Sequence, residues 1–315
     1  MASSMPPYFV MDGDHRGASV IVTAFSLIAY MICMAGIRLC VTRKAFVEFH
    51  AEDVGTALSI ILSIVSYLLF YRAVPPGLGS HQAELQASDA TAAFRMLYAA
   101  QMIGITAIWA AKLSAAALHW GVEFNSTARL SLILKISFAV TVAWGPLCLG
   151  LTAVQCLNPQ CKDHSRQELG VVISNMVSDV WLAVAPLHLV NSLKVPLSKR
   201  LRVGFLFAGR LIVPCIAAGQ LTSLTAANHN ADKTFSHAVV AIWSMVVIFF
   251  SVLASVIPRT QKFWGALQSG GTRITGDEDE REFIWDWKNR LMRSTVREVS
   301  SLDPSSRSSS SNGSS

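Results

Sequence analysis

Long apolar stretches separated by short polar ones fill the chain from residue 18 to residue 257. A bilayer core needs roughly 20 mostly apolar residues in one helix. Inside lipid the backbone N–H and C=O groups have no water to bind, so each stretch must pair them internally as a helix. Seven stretches meet this requirement: about 18–37, 54–74, 95–118, 130–152, 169–191, 203–224 and 237–257. The pattern predicts an all-α fold, a seven-transmembrane helical bundle.

Lysine and arginine in the connecting segments predict the orientation of the bundle, because cytosolic loops carry an excess of both residues. Eleven of them lie near the span ends on the side of the segments that follow the first, third, fifth and seventh spans. The five counted on the opposite side are Arg16, Arg72, Lys162, Arg166 and Lys233. We therefore expect the N-terminus outside and the C-terminus in the cytosol.

Composition argues against a soluble protein. Of the 315 residues, 52% are hydrophobic and only 15% are charged, whereas soluble domains average about 25% charged residues. The net charge of +6 does not predict a nucleic-acid partner, because the basic residues are spread over loops between spans. The predicted partner is the lipid bilayer, of the plasma membrane or of an endomembrane.

Three regions follow from this pattern: a short outer segment over 1–17, a membrane domain over 18–257 and a cytosolic tail over 258–315. The first region lacks a basic n-region, so a cleaved signal peptide is not expected. Residues 259–267 predict a short amphipathic helix on the inner leaflet. The chain after about residue 300 is serine-rich and predicts disorder, either as a solvated tail or as a phosphorylated one that meets a cytosolic partner.

The cysteines and the glycosylation sequons predict covalent features of the loops. Cys156 and Cys161 lie in a predicted outer, oxidising loop and are a candidate disulfide. No second pair at ligand spacing accompanies them, so a metal site is not predicted. Asn125 and Asn312 begin glycosylation sequons, but both fall on the predicted cytosolic side. We expect neither to be used, and a glycan on Asn125 would overturn the orientation.

Ionisable residues within spans are costly and are candidates for function. Asp179 lies near the middle of the fifth span, and Asn175 and Pro186 share its helical face within about 40°. Pro186 also predicts a kink. Two cations could pair with Asp179: Arg210, preferred because it lies nearer the midplane, and Lys112, which could snorkel to the interface. This set is interpreted as a polar intramembrane site, or equally as hydrogen bonding that holds helices together.

These motifs together resemble the fungal rhodopsin-like integral membrane family of the satratoxin-cluster and appressorial-receptor type. The resemblance covers about residues 20–265. The residues that carry it are Glu52-Asp53, the turn with Gly77, Gly79 and His81, the Lys112-Leu113-Ser114 motif, the set Asn175, Asp179 and Pro186, then Phe205 with Gly209, and Pro258-Arg259. The resemblance implies a membrane protein with a sensing or accessory role, tied to secondary-metabolite biosynthesis.

Departures from the family pattern concern charged positions. Where the family often has an arginine late in the sixth span, this chain has Gln220, and Val247 stands where a glutamate is common in the seventh. The tryptophan usual between the two loop cysteines is also missing. Span 237–257 contains no lysine, so a retinal Schiff base is excluded and no cofactor is predicted.

Three functions remain open from the sequence. The first is a sensing or accessory protein that meets an unknown apolar small molecule. The second is a membrane-embedded cyclase or hydrolase, in which Asp179 donates a proton and Asn175 orients it. The third is a small-molecule transporter, although no two-fold repeat is evident.

Overall fold

A computed structural model of the chain describes residues 15–44, 51–123, 128–157, 164–192, 208–230 and 232–268. Within these ranges the α-helices are α1 (Gly17–Lys44), α2 (Ala51–Arg72), α3 (Ala87–Glu123), α4 (Ala128–Leu157), α5 (His164–Ser192), α6 (Ile212–His229) and α7 (Lys233–Gln268). Two 3-10 turns accompany them, Gln82–Glu84 before α3 and Gly209–Leu211 leading into α6. In the described part of the chain seven helices are long and apolar enough to cross a membrane. The predicted all-α, seven-span fold is thereby confirmed.

Several helices run beyond the predicted spans. The third helix begins at Ala87 rather than near residue 95, and α7 continues without a break through Pro258 to Gln268. The predicted amphipathic segment 259–267 is therefore a continuation of α7, not a separate helix. Hydropathy marks only the part of a helix that is apolar, whereas backbone hydrogen bonding continues through polar residues at its ends.

The third and seventh helices form the centre of the bundle. The third packs against α2, α4 and α7, while α7 packs against α1, α2, α3 and α6. Hydrogen bonds between helices tie this centre together, since Ser255 donates to the Ala111 carbonyl at 2.9 Å and Ser66 to the Ala100 carbonyl at 2.8 Å. Small residues and such hydrogen bonds are what draw helices together in lipid. The central position of α3 brings its Lys112 into the interior.

Large apolar side chains point away from the bundle on several helices. Examples are Tyr30, Ile61, Leu147 and Val177, each about 60% exposed in the isolated chain. A soluble protein rarely exposes so much apolar surface, whereas lipid covers it without cost. The exposed surface agrees with an integral membrane protein.

A loop structure that we call the loop cap closes one end of the bundle; it comprises Arg16, residues 73–81, Asp232 and Phe235. Gly79 accepts a hydrogen bond from the Arg16 amide at 3.0 Å and donates one to the Thr234 carbonyl at 3.2 Å. His81 contacts Asp232 at 3.1 Å and stacks on the Phe235 ring, which carries the Arg16 guanidinium 4.2 Å from its centroid. The Gly77-to-His81 motif thus joins the N-terminal ends of α1 and α7.

Gly79→Ala is expected to loosen the loop cap. Gly79 has a φ of +93°, and a Cβ there would lie 2.6 Å from the Gly17 amide nitrogen. We expect a loss of about 1 kcal/mol or more in the free energy of unfolding, because both the backbone conformation and the space suit glycine. Thermal unfolding of the purified protein measures it, with Ser80→Ala in the same loop as control. Equal stability of both variants would contradict this role of Gly79.

Candidate functional site

Asp179 lies between two cations in the interior. Its Oδ2 is 3.2 Å from the Lys112 Nζ, and its Oδ1 is 3.3 Å from the Arg210 Nε. The side chains of Asp179 and Lys112 are fully buried and that of Arg210 is 5% exposed. We call Lys112, Asn175, Asp179 and Arg210 the charge cluster.

Both candidate cations therefore meet Asp179. Arg210, the preferred partner, does contact the carboxylate. The expectation that Lys112 snorkels to the interface is wrong, because α3 is central and its Lys112 faces α5 rather than lipid. The structure brings Asn175 to the same place, since this residue is also buried and lies one helical turn before Asp179.

The Lys112 ammonium is held on every side by groups of α4 and α5. It donates to the Asn175 Oδ1 at 2.7 Å, to the Asn175 carbonyl at 3.1 Å and to the Ser178 hydroxyl. The Trp144 ring lies beneath it, with the centroid 4.3 Å from Nζ. A buried ammonium is costly unless such contacts replace its hydration. These contacts lock α3 onto α4 and α5.

The charge cluster contains one more positive than negative group when its ionisable members are charged. Among the described residues, the Arg210 Nη2 has no hydrogen-bond partner, although it is buried. Asp179 is therefore the anion that keeps two buried cations together. Removing one member of a buried ion pair is far more damaging than replacing the pair as a whole.

A cavity lies beside the charge cluster, towards the end that carries the loop cap, and holds about 670 Å³ of empty space when its open side is included. Small-molecule sites are commonly concave, with mostly apolar walls and a few polar groups. The residues that line it are Phe70, Gln101, Gly104, Ile105, Ile108, Trp144, Thr152, Glu168, Val171, Val172, Asn175, Gln220, Leu224, Val240, Ser244, Val247 and Ile248. The cavity is thus built by all helices from α2 to α7.

The cavity and the charge cluster share one residue. Asn175 lines the cavity and also accepts the hydrogen bond from Lys112, whereas Asp179, Lys112 and Arg210 are not among the lining residues. Trp144 lines the cavity as well and supports the Lys112 ammonium from below. Any molecule in the cavity therefore meets the cluster through Asn175 and Trp144.

The remaining motif positions lie elsewhere and hold helices together. Asp53 accepts a hydrogen bond from the Arg38 Nη2 at 2.7 Å, which fastens α1 to α2. Ser114 shares a hydrogen bond of 2.7 Å with Thr56, so the Lys-Leu-Ser motif contributes one residue to the cluster and one to the α2–α3 contact. Gly77, Gly79 and His81 build the loop cap.

Several predicted features lie outside the described residues or side chains. This applies to the side chains of Glu52, Cys156, Pro186 and the Pro258-Arg259 pair, and to Asn125, Cys161, Phe205 and Asn312 altogether. Pro186 falls within α5, where the helix is continuous. The candidate disulfide, the kink and the unused sequons stay predictions.

Sequence reasoning missed three residues of this region. Glu168 was one residue outside the predicted fifth span, and Ser178 is an ordinary small polar residue. Trp144 carried one available signal, because Gly145 follows it and small residues in a span favour close helix packing. Their contacts depend on how α3, α4 and α5 pack, which no single span reveals.

The seven apolar helices in the described part of the chain, with their buried ionic centre, define a polytopic integral membrane protein of the seven-helix class. The family model of the fungal rhodopsin domain matches residues 37–265, so the chain belongs to the fungal rhodopsin domain family. Comparison with the curated proteins and with the solved structures gives no match.

The two departures from the family pattern both lie in the cavity wall. Gln220 donates to the Ser244 hydroxyl at 2.9 Å, and Val247 is buried beside them on α7. The amide of Gln220 and the alkyl side chain of Val247 occupy positions where the family pattern has charged side chains. The cavity of this chain is therefore less ionic at α6 and α7 than that pattern implies.

Proposed function

We propose that the protein is a sensing or accessory membrane protein that binds an apolar small molecule in the cavity. The observation that carries this proposal is the mostly apolar cavity whose floor residue, Asn175, also binds the buried Lys112. A ligand there would act on the charge cluster without touching any of its three ions. The departures at Gln220 and Val247 support a ligand that differs from those of relatives with charged groups there.

The coupling follows from the contacts of Asn175. Its amide oxygen accepts from Lys112 at 2.7 Å, while the same residue forms part of the cavity wall. A ligand that moves the Asn175 amide weakens one of the bonds that hold Lys112, and Lys112 joins α3 to α5. A ligand can shift an equilibrium between two helix arrangements only through such differential contacts.

An enzymatic role for Asp179 receives less support from this geometry. The carboxylate is enclosed between Lys112 and Arg210 and does not line the cavity. A general acid must reach the atom that it protonates. The tie to secondary-metabolite biosynthesis belongs to the same proposal of a sensing or accessory role and is supported by the family resemblance.

Filling the cavity should weaken ligand binding. We expect Val171→Trp to weaken saturable binding of a fluorescent probe, naphthylhexanol, by about tenfold or more, because the indole occupies the ligand's volume. Val171 lines the cavity, whereas Val177 on the same helix is 64% exposed. Val177→Trp is the matched control. Titration of the full chain in lipid nanodiscs measures both variants, and equal binding by both would contradict the cavity as the site.

The same pair of variants separates a sensor from an enzyme in the producing fungus. A sensor with a filled cavity changes the levels of a whole set of metabolites and the phosphorylation of its tail. An enzyme with a filled cavity accumulates one precursor and loses one product. Mass spectrometry of extracts and of the purified protein distinguishes the two, with Val177→Trp as the reference strain.

A further inference from the structure

Glu168 places a carboxylate in the wall of an otherwise mostly apolar cavity. It lies near the start of α5, beside Val171 and Val172, and is only partly exposed. No hydrogen bond or ion pair joins it to any other residue that the structure describes. An ionised carboxylate accepts hydrogen bonds and donates none, so it needs a donor, and best a cation, in its surroundings.

The described polar groups of the cavity wall do not supply a cation. Among the residues that the structure describes, the lining includes Gln101, Gln220 and Ser244 but no lysine, arginine or histidine. Gln220 already donates to Ser244. The cations Lys112 and Arg210 do not line the cavity and are paired with Asp179. Among the described residues, Glu168 is therefore the one ionisable group that lines the cavity and that a bound molecule meets directly.

Glu168 and Asn175 give the cavity two polar ends on one helical face. The two residues are seven positions apart on α5, which corresponds to about 10 Å and two turns. The Asn175 amide oxygen is occupied by Lys112, so its amide nitrogen is the part left to donate to a ligand. One end of the cavity therefore offers a carboxyl group that can pair with a cation, and the other offers a neutral donor.

We propose that the ligand is an apolar molecule with a basic amine, which pairs with Glu168 while the apolar body fills the cavity down to Asn175. This inference rests on the proposed function, because it names the ligand class of the same cavity. A neutral ligand leaves the carboxylate without a charged partner, and an anionic ligand is repelled by it. A cationic amine supplies both the charge and the N–H donors.

Two probes that differ only in the end group test this proposal. Naphthylhexylamine and naphthylhexanol share their ring and chain, so membrane partitioning of the ring is the same in both. We expect the full chain in neutral-lipid nanodiscs to bind the amine about tenfold or more tightly than the alcohol. Glu168→Gln should remove this preference by weakening amine binding, while binding of the alcohol stays unchanged. Gln keeps the size of the side chain and removes its charge.

Two further variants keep the outcomes distinct. Val171→Trp should weaken both probes. Asp89→Asn removes an exposed carboxylate from the first turn of α3, outside the cavity lining, and should change neither. If both probes bind saturably, lose binding in Val171→Trp and show no dependence on Glu168, the amine proposal is overturned and the cavity proposal stands. If neither probe binds saturably, or Val171→Trp changes nothing, the cavity proposal itself fails.

Discussion

Asp179→Asn is expected to cause the largest loss of stability of any conservative substitution in this protein, about 3–5 kcal/mol in the free energy of unfolding. The asparagine keeps the shape of the side chain and removes the only anion that contacts both Lys112 and Arg210 among the described residues. Two buried cations would then face each other without a counter-ion. Thermal unfolding of the purified protein, with membrane abundance in parallel, measures the effect.

Matched variants of the cations separate charge balance from simple loss of contacts. Lys112→Met leaves the Arg210–Asp179 pair and should cost less than Asp179→Asn. The double variant Asp179→Asn with Lys112→Met leaves only one cation and should regain part of the stability lost by Asp179→Asn alone. Non-additivity of this kind is the signature of a direct interaction. If the double variant instead loses the sum of the two single losses in its free energy of unfolding, the account is contradicted.

Gly145→Val is expected to cost about 3 kcal/mol, because it forces a side chain into the contact between α3 and α4. A Cβ at Gly145 would lie 2.3 Å from atoms of the Trp109 indole. The ring has little freedom to retreat, since its Nε1 donates to the Thr141 carbonyl of α4 at 3.0 Å. Thermal unfolding of the variant in detergent or nanodiscs measures the loss.

Gly150 provides the matched control on the same helix. No atom lies within 4 Å of a Cβ built at Gly150. Gly150→Val carries the same change in helix propensity without the contact, so its stability should stay close to that of the parent protein. If Gly145→Val and Gly150→Val lose equal stability, the cost comes from the valine itself and the α3–α4 contact is not the reason.

The fold could be predicted from the sequence because lipid imposes a simple length and polarity requirement on every span. The inward face of α5 could also be predicted, since Asn175 and Asp179 are one helical turn apart and both are costly in lipid. The buried position of Lys112 could not be predicted from the sequence. Its distance from the span end allowed snorkelling, and only the central packing of α3 places it inside.

The cavity lay beyond sequence reasoning for a similar physical reason. Its wall combines residues from six helices, and Glu168, Trp144 and Gln220 come to line one cavity only when those helices are assembled. The departures at Gln220 and Val247 were visible in the chain, but nothing in the sequence alone placed them beside Glu168. A side chain's role in a bundle depends on its neighbours across helices more than on its own span.

The most direct test of the central claim is whether a molecule in the cavity reaches the charge cluster. Lys112 contacts Asn175 but does not line the cavity. A change at its ammonium therefore reports that the bound molecule acts on the charge cluster through Asn175, not that it touches Lys112. NMR of isotope-labelled lysine side chains, with the resonance assigned by its loss in Lys112→Met, follows this group during titration with naphthylhexanol. We expect the Lys112 signal to shift in proportion to probe occupancy, and to stay fixed in Val171→Trp. Saturable binding of the probe with an unchanged Lys112 signal would contradict the account.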